Sequence, residues 1–273
     1  MRRLTRAATA GALLLAAVFP LFPLYWMVIS SLKSPQELAQ IPPSWWPRTL
    51  TFDAYSTVFQ VVPFGRAFGN SLLIAGLGTL SVLVTSVAAG YGFAKYRFPG
   101  RDALFWTLVL TMFLPPIVTL VPLFWMVSSL GLSDSYLGVL LPWLANPFGV
   151  FLMRQFCADV PDELIDAARV DGAGELRILW TVVLPLLRPA VVTLAVFAFV
   201  YYWNSFLWPL SVLQSDTKFP VVLSLSQLLS YASSVRYQSV VMAGALIASL
   251  PTIVVFLFAQ RIFIQNIART GVR

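Results

Sequence analysis

The chain has 273 residues, 59% of them hydrophobic and 11% charged, with a formal net charge of +7, no histidine and one cysteine. This balance excludes an ordinary soluble domain and points to a polytopic membrane protein. The single Cys157 excludes an internal disulfide and is read as a small apolar filler near a helix end, and without histidine a structural zinc site is not expected.

In chain order, charge-free stretches of spanning length run over 7–32, 67–94, 103–133, 135–153, 189–215 and 237–260. A helix needs roughly 20 apolar residues to cross the hydrocarbon core. Backbone polar groups cannot go unpaired in lipid, so these stretches predict an all-α bundle of six transmembrane helices. The first begins MRRLTRAATAGALLL, like a signal peptide, but its apolar run exceeds the usual roughly 7–15-residue h-region and reads as an uncleaved span.

Residues 33–66 carry prolines at 35, 42, 43, 47 and 63 and are expected to form an extended outer loop. Trp45 and Trp46 within it suit either the headgroup interface or contact with an external partner. Span three contains Pro115, Pro116 and Pro122, and span four Pro142 and Asn146-Pro147, so both are expected to kink. The serine-rich 219–235 stretch is placed outside the bilayer as an interfacial or partner-facing helix.

Orientation follows from the cations. The two ends and alternate loops hold 13 Lys and Arg, among them Lys95, Arg97, Arg101, Arg154, Arg169 and Arg177, against five in the opposite loops. Retention of positive residues on the inner side predicts that both termini and the loop at 154–188 are cytoplasmic. The net charge is then a consequence of topology and gives no reason to expect nucleic-acid binding.

That inner loop is the most informative segment. Asp159, Asp162, Glu163, Asp166, Asp171 and Glu175 are six of the chain's eleven acidic residues. Each charge would cost roughly 2.5–3.5 kcal/mol at mid-bilayer, so the segment belongs in water. Pro161 at a first turn, acidic residues beside the positive helix end and Gly172 as a left-handed stop predict a helix over about 161–170, with a second from near Gly174 to Leu184, before Pro185. Leu164, Ala167, Ala168 and Asp171 share one face of the first helix. Two alanines there admit close approach by another backbone, and the carboxylates can pair with a cation across a contact. Either this face docks a partner, or it packs on its own bundle.

Asp166-Ala167-Ala168, Asp171-Gly172-Ala173, then Val183-Leu184-Pro185-Leu186 and Pro189 resemble the EAA loop of ABC-importer permeases of the carbohydrate-uptake type. Further similarity to the maltose-transporter G-subunit family lies in Ser31-Leu32-Lys33 with Glu37, Thr51-Phe52-Asp53-Ala54-Tyr55, Asn70-Ser71, Tyr91 with Phe93-Ala94, Pro115-Pro116 and Trp203-Asn204. Asp166 replaces the family's usual Glu, and Ser205 stands where many members carry an acid. The resemblance implies the ABC type-1 importer permease fold, with an N-terminal span and outer loop over 1–66, a transmembrane core over 67–265 whose coupling loop is about 158–184, and a cytoplasmic tail over 266–273. It implies an ATPase-coupling site at Leu164, Asp166, Ala167, Ala168, Asp171, Gly172, Ala173 and Pro185.

Its implied partners are a second related permease, two copies of an ABC ATPase subunit that bind ATP and magnesium, and an external solute-binding protein, in a bacterial inner membrane. None of the three lysines stands in a G-x-x-x-x-G-K-[ST] phosphate loop, so no nucleotide cofactor is expected in this chain. Asn70, Tyr201, Trp203 and Asn204 are candidates to line a sugar pathway, the alternatives being interhelical hydrogen bonds for the asparagines and packing for the aromatics. Two other classes compete. An intramembrane enzyme lacks a positioned nucleophile, base or metal set, and a membrane scaffold would use the acidic loop only for recruitment. Glycerol phosphate, a polyol or an amino sugar are alternative cargoes.

Overall fold

The computed structural model describes the backbone of residues 18–270 and the side chains of 18–260. The first half of the expected span 7–32 and the tail after Thr270 lie outside the described residues.

The described chain is helical. In order it forms α1 (Val18–Ser31), α2 (Pro35–Leu38), α3 (Asp53–Val61), α4 (Phe64–Lys95), α5 (Arg101–Leu110) and α6 (Pro116–Ser129). Then come α7 (Tyr136–Leu140), α8 (Pro147–Ala158), α9 (Asp162–Val170), α10 (Glu175–Leu186), α11 (Arg188–Trp203), α12 (Leu207–Val212), α13 (Val221–Ser230) and α14 (Val235–Thr270). Among the described residues, only α4 and the Val235–Gln260 part of α14 are single unbroken helices long and apolar enough to cross a membrane.

Three of the other expected spans are broken. Where one kinked helix is expected over 103–133, Arg101–Phe113 and Pro116–Ser129 meet at 108°. The cause is the proline pair. A residue before proline is driven out of the helical region, and both Leu114 (ψ 122°) and Pro115 (ψ 131°) precede one and are extended. Pro122 has no adjacent proline, and Val121 before it stays helical within α6. Tyr136–Trp143 and Pro147–Ala158 meet at 44°, with Asn146 capping α8 by accepting from the Gly149 N–H at 2.9 Å. In the expected span 189–215 the helix stops at Trp203, and α12 starts at Leu207 after a three-residue gap.

The chain divides into two compact units, one holding the chain up to Gly65 with Leu223–Leu250, the other Arg66–Val222 with the chain from Pro251 onward.

In the first unit the 33–66 segment is folded, where the sequence predicts an extended loop. Lys33 is buried, donates to the Ser44 carbonyl and lies 4.9 Å from the Trp26 ring. Buried Glu37 accepts from Ser44 Oγ at 2.7 Å and from the Arg48 N–H at 3.0 Å, and the Thr51 N–H returns to the Leu32 carbonyl at 3.0 Å. Buried charges must be bonded, so this pair fixes the course of a proline-rich segment that has little regular structure. Trp45 and Trp46 remain largely exposed.

In the second unit, Phe93, Phe105, Val109 and Val150 form an apolar cluster, with the Arg154 guanidinium 3.8 Å over the Phe105 ring. Gly90 lets α4 approach α8 closely: a Cβ there would meet Met153 Cβ at 2.5 Å and the Arg154 backbone nitrogen at 2.8 Å. Cys157 is fully buried, as an apolar filler would be. Asp134 accepts from the Gln214 and Ser215 N–H groups and pairs with Lys218 at 2.8 Å, tying the 213–218 turn to the start of α7.

Candidate functional site: the acidic loop and the broken helices

Helix α9 starts after Pro161 and ends as the sequence predicts. The Gly172 N–H bonds the Arg169 carbonyl and the Ala173 N–H the Ala168 carbonyl, both at 2.9 Å, while Gly172 takes φ +80°. This is the paired closure that a left-handed glycine allows. Ile165 is the inward anchor at 2% exposure.

The opposite side is open. Leu164, Asp166, Ala167 and Asp171 are exposed and Ala168 half-buried, and Val170 beside them is 86% exposed. Of the two readings of this face, packing on the chain's own bundle is not what these residues do. Leu176 and Trp180 on α10 are exposed as well, so an apolar surface continues past the turn.

Ion pairs hold the open helix at its base. Lys95, at the end of α4, donates to Asp162 at 2.7 Å and to the Val160 carbonyl. Arg169 bridges Asp166 at 3.0 Å and Glu175 at 2.8 Å, across the Gly172 turn. The Tyr91 hydroxyl donates to the second Glu175 oxygen at 3.1 Å. Arg169 first, then the Tyr96 and Tyr91 hydroxyls, holds the Glu175 carboxyl below its ordinary range despite partial desolvation. Glu175 raises the Arg169 pKa in return. Asp166 thus spends one oxygen on its own helix. Residues 179–183 form a wider π-turn just before Pro185, whose ring nitrogen cannot bond to the Thr181 carbonyl. Pro185 is exposed, and after Leu186 the chain turns by 86° into α11. The exposed loop residues Leu164, Asp166, Ala167, Asp171 and Gly172 thus lie on the open side of this loop, and Pro185 stands just before the 86° bend.

The candidate pathway residues are not brought together. Asn70 is buried, donates to the Thr217 and Phe219 carbonyls at 3.0 Å each and accepts from the Tyr136 hydroxyl at 2.8 Å, bracketing the loop before α13. Trp203 is 1% exposed, its ring between Phe68 and Phe199. Asn204 is exposed and donates to the Val200 carbonyl at 3.0 Å, closing α11. Tyr201 alone, 46% exposed, faces a cavity of about 420 Å³ shared with Pro116, Leu123, Trp143, Ser205 and Trp208. Trp143 was not singled out from the sequence, and Ser205 only as a departure from the family's pattern. The available signal was their place beside Asn146-Pro147 and Asn204, where helices stop.

The described residues thus form a helical chain with broken apolar helices and an open apolar and acidic loop. The chain belongs to the family described as binding-protein-dependent transport system inner membrane component, whose model matches residues 81–269. It is 35% identical over 272 residues to the arabinooligosaccharides transport system permease protein AraQ of Bacillus subtilis (strain 168), covering 98% of this chain and 96% of that one. It is 36% identical over 265 residues to the lactose transport system permease protein LacG of Rhizobium radiobacter, covering 97% and 96%. Similarity to the sn-glycerol-3-phosphate transport system permease protein UgpE of Yersinia pestis is 32% over 261 residues, covering 93% of each. The fold matches a chain of a bacterial ABC transporter involved in the import of the acidic polysaccharide alginate, with TM-score 0.86, 26% identity and coverage of 95% and 96%.

Proposed function

We propose that this chain is the permease subunit of an ATP-driven importer of a sugar or sugar derivative in a bacterial inner membrane, driven through α9 by a separate ATPase subunit that binds ATP and magnesium. The observation that carries the reading is the exposed Leu164, Ala167, Val170 and Asp171 surface, fastened at its base by Lys95 and Arg169. A surface presented on a braced helix can transmit movement. Its small residues admit close approach, and Asp166 has an oxygen left for a partner's cation. ATP-driven closure of an ATPase pair moves this helix as a lever and α10 and α11 with it, so the two states must differ in affinity for nucleotide.

A second related permease and an external solute-binding protein complete the complex. A fold relative solved in complex with an alginate pentasaccharide-bound periplasmic protein supports the latter by likeness of fold, at TM-score 0.66 and 19% identity. Six spans are α1, α4, the α5–α6 pair, the α7–α8 pair, α11 with α12, and α14. The excess of Lys and Arg in alternate loops supports cytoplasmic termini. Tyr201 lines the solute pathway, with the walls around it. Named relatives differ in cargo, from lactose to sn-glycerol-3-phosphate, so family membership leaves the cargo's charge open.

The test is ATP hydrolysis by the assembled complex in proteoliposomes, with a panel of sugars and with or without the external binding protein. Stimulation by one liganded binding protein is expected. An assembled complex that no liganded binding protein stimulates, and that moves no solute, would mark a scaffold.

A further inference from the structure

Three breaks between helices meet at one place in the second unit, two of them within bent pairs of membrane-spanning length. The cavity of about 420 Å³ is lined by Pro116 from the break before α6, Trp143 from the break before α8, and Ser205 and Phe206 from the break before α12. All three lie inside charge-free runs of the sequence. Irregular backbone at membrane depth is tolerated only where it is covered by protein or borders a wet cavity, and discontinuous helices mark the solute sites of many transporters. The volume falls within the roughly 300–1,000 Å³ usual for small-molecule sites.

We propose that this cavity is the part of the pathway that selects cargo by charge, admitting an uncharged saccharide and turning away anionic sugars and sugar phosphates. The inference rests on the importer reading above and goes beyond it in assigning the chemical class of cargo and the wall that enforces it.

The lining is aromatic and aliphatic, and its side-chain polar groups are the hydroxyls of Tyr201 and Ser205 and the indole N–H groups of Trp143 and Trp208; no Lys, Arg, Asp or Glu borders it among the described residues. Trp143 and Tyr201 stand edge to face, 5.9 Å between ring centres. The walls are fixed by polar atoms turned away from the cavity's work. The Trp208 indole N–H donates to the Val139 carbonyl at 3.0 Å, and the Tyr202 hydroxyl to the Trp143 carbonyl at 3.0 Å. The exposed Tyr201 face is thus presented on a rigid frame.

A neutral saccharide suits this surface. Its C–H faces lie against the negative face of an aromatic ring, and its hydroxyls exchange bonds with Tyr201 and Ser205. A phosphate or uronate gives up hydration here and meets no counter-charge, and an unpaired ion in an apolar setting is penalised steeply. Anionic cargo needs an arginine or lysine in the wall, and this wall has none.

The test uses the full complex in proteoliposomes with its own binding protein. Uptake is compared for labelled lactose, an arabinooligosaccharide, sn-glycerol 3-phosphate and an oligouronate, for the native chain and for Tyr201→Leu and Tyr201→Phe, with assembly checked by copurification of all subunits. The expected result is uptake of a neutral saccharide about ten-fold or more above either anion. Tyr201→Leu should lower kcat for that uptake about ten-fold at unchanged affinity for the liganded binding protein, and Tyr201→Phe, which keeps the ring, should restore most of it. Uptake of either anion at a comparable rate overturns the inference while leaving an importer in place, and so does native uptake by Tyr201→Leu. Absence of both uptake and stimulated hydrolysis removes the importer reading and the inference with it.

Discussion

Arg169 Nε donates to Glu175 Oε1 at 2.8 Å, joining the last turn of α9 to the first turn of α10 across the paired hydrogen-bond closure at Gly172. The same guanidinium holds Asp166 at 3.0 Å. One cation therefore sets the angle between α9, the helix proposed to meet an ATPase subunit, and α10.

Replacing Arg169 by Met should uncouple more than it unfolds. Partly exposed pairs of this kind contribute roughly 0.2–1 kcal/mol each, so the melting temperature of the complex should hardly move. Stimulated ATP hydrolysis and uptake should fall several-fold, and Arg169→Lys should recover little because a point charge cannot span both carboxylates. Paired melting and uptake measurements check this.

Gly172 is constrained by conformation and not by space. Its φ is +80°, and a Cβ there would meet nothing within 4 Å. Gly172→Ala should therefore cost about 1–2 kcal/mol in the α9–α10 turn through backbone strain alone. Gly172→Asn, which tolerates this region better, should retain more of the stimulated activity.

Gly90 is the opposite case. Its Cβ would press on Met153 Cβ and on the Arg154 backbone, which cannot swing aside. Gly90→Ala should destabilise by about 1–3 kcal/mol through overpacking, read as earlier thermal loss of the detergent-solubilised complex. Because Lys95 lies further along the same helix, the α9 anchor should loosen too.

The pH dependence has a definite sign. The Glu175 pKa is depressed, with the Arg169 contact its largest cause, so its contribution is present above the ordinary glutamate value of 4.5 and lost as pH falls through the depressed one. Coupling should be insensitive to this group between about pH 6 and 8. Glu175→Gln should reduce coupling across that whole range. A native loss centred near neutrality would implicate another group.

The loop was legible because its signals are local. Pro161, Gly172 and a run of carboxylates between apolar stretches punctuate a helix whatever surrounds it, and α9 falls over Asp162–Val170. The clamp was less visible, since Arg169 and Glu175 pair only because the turn between them folds back. In the membrane part, Pro115-Pro116 announced an interruption but not a 108° turn, because an apolar run carries no information about direction. Tyr201 and Trp203 look alike in sequence. On α11 they point differently, one into the cavity and one between Phe68 and Phe199, and a helix apolar on every side offers no stripe by which to tell them apart. The buried Lys33 and Glu37 were read as parts of an outer loop, because their burial depends on partners distant in sequence.

The most direct test of the account is the accessibility of α9 in the assembled complex. With Cys157 buried, an Ala167→Cys chain carries one exposed thiol among its described residues, and its labelling by a maleimide can be compared with and without the ATPase subunit. The account predicts rapid labelling of the free chain and strong protection in the complex. Equal labelling in both, with the ATPase demonstrably bound, would contradict it.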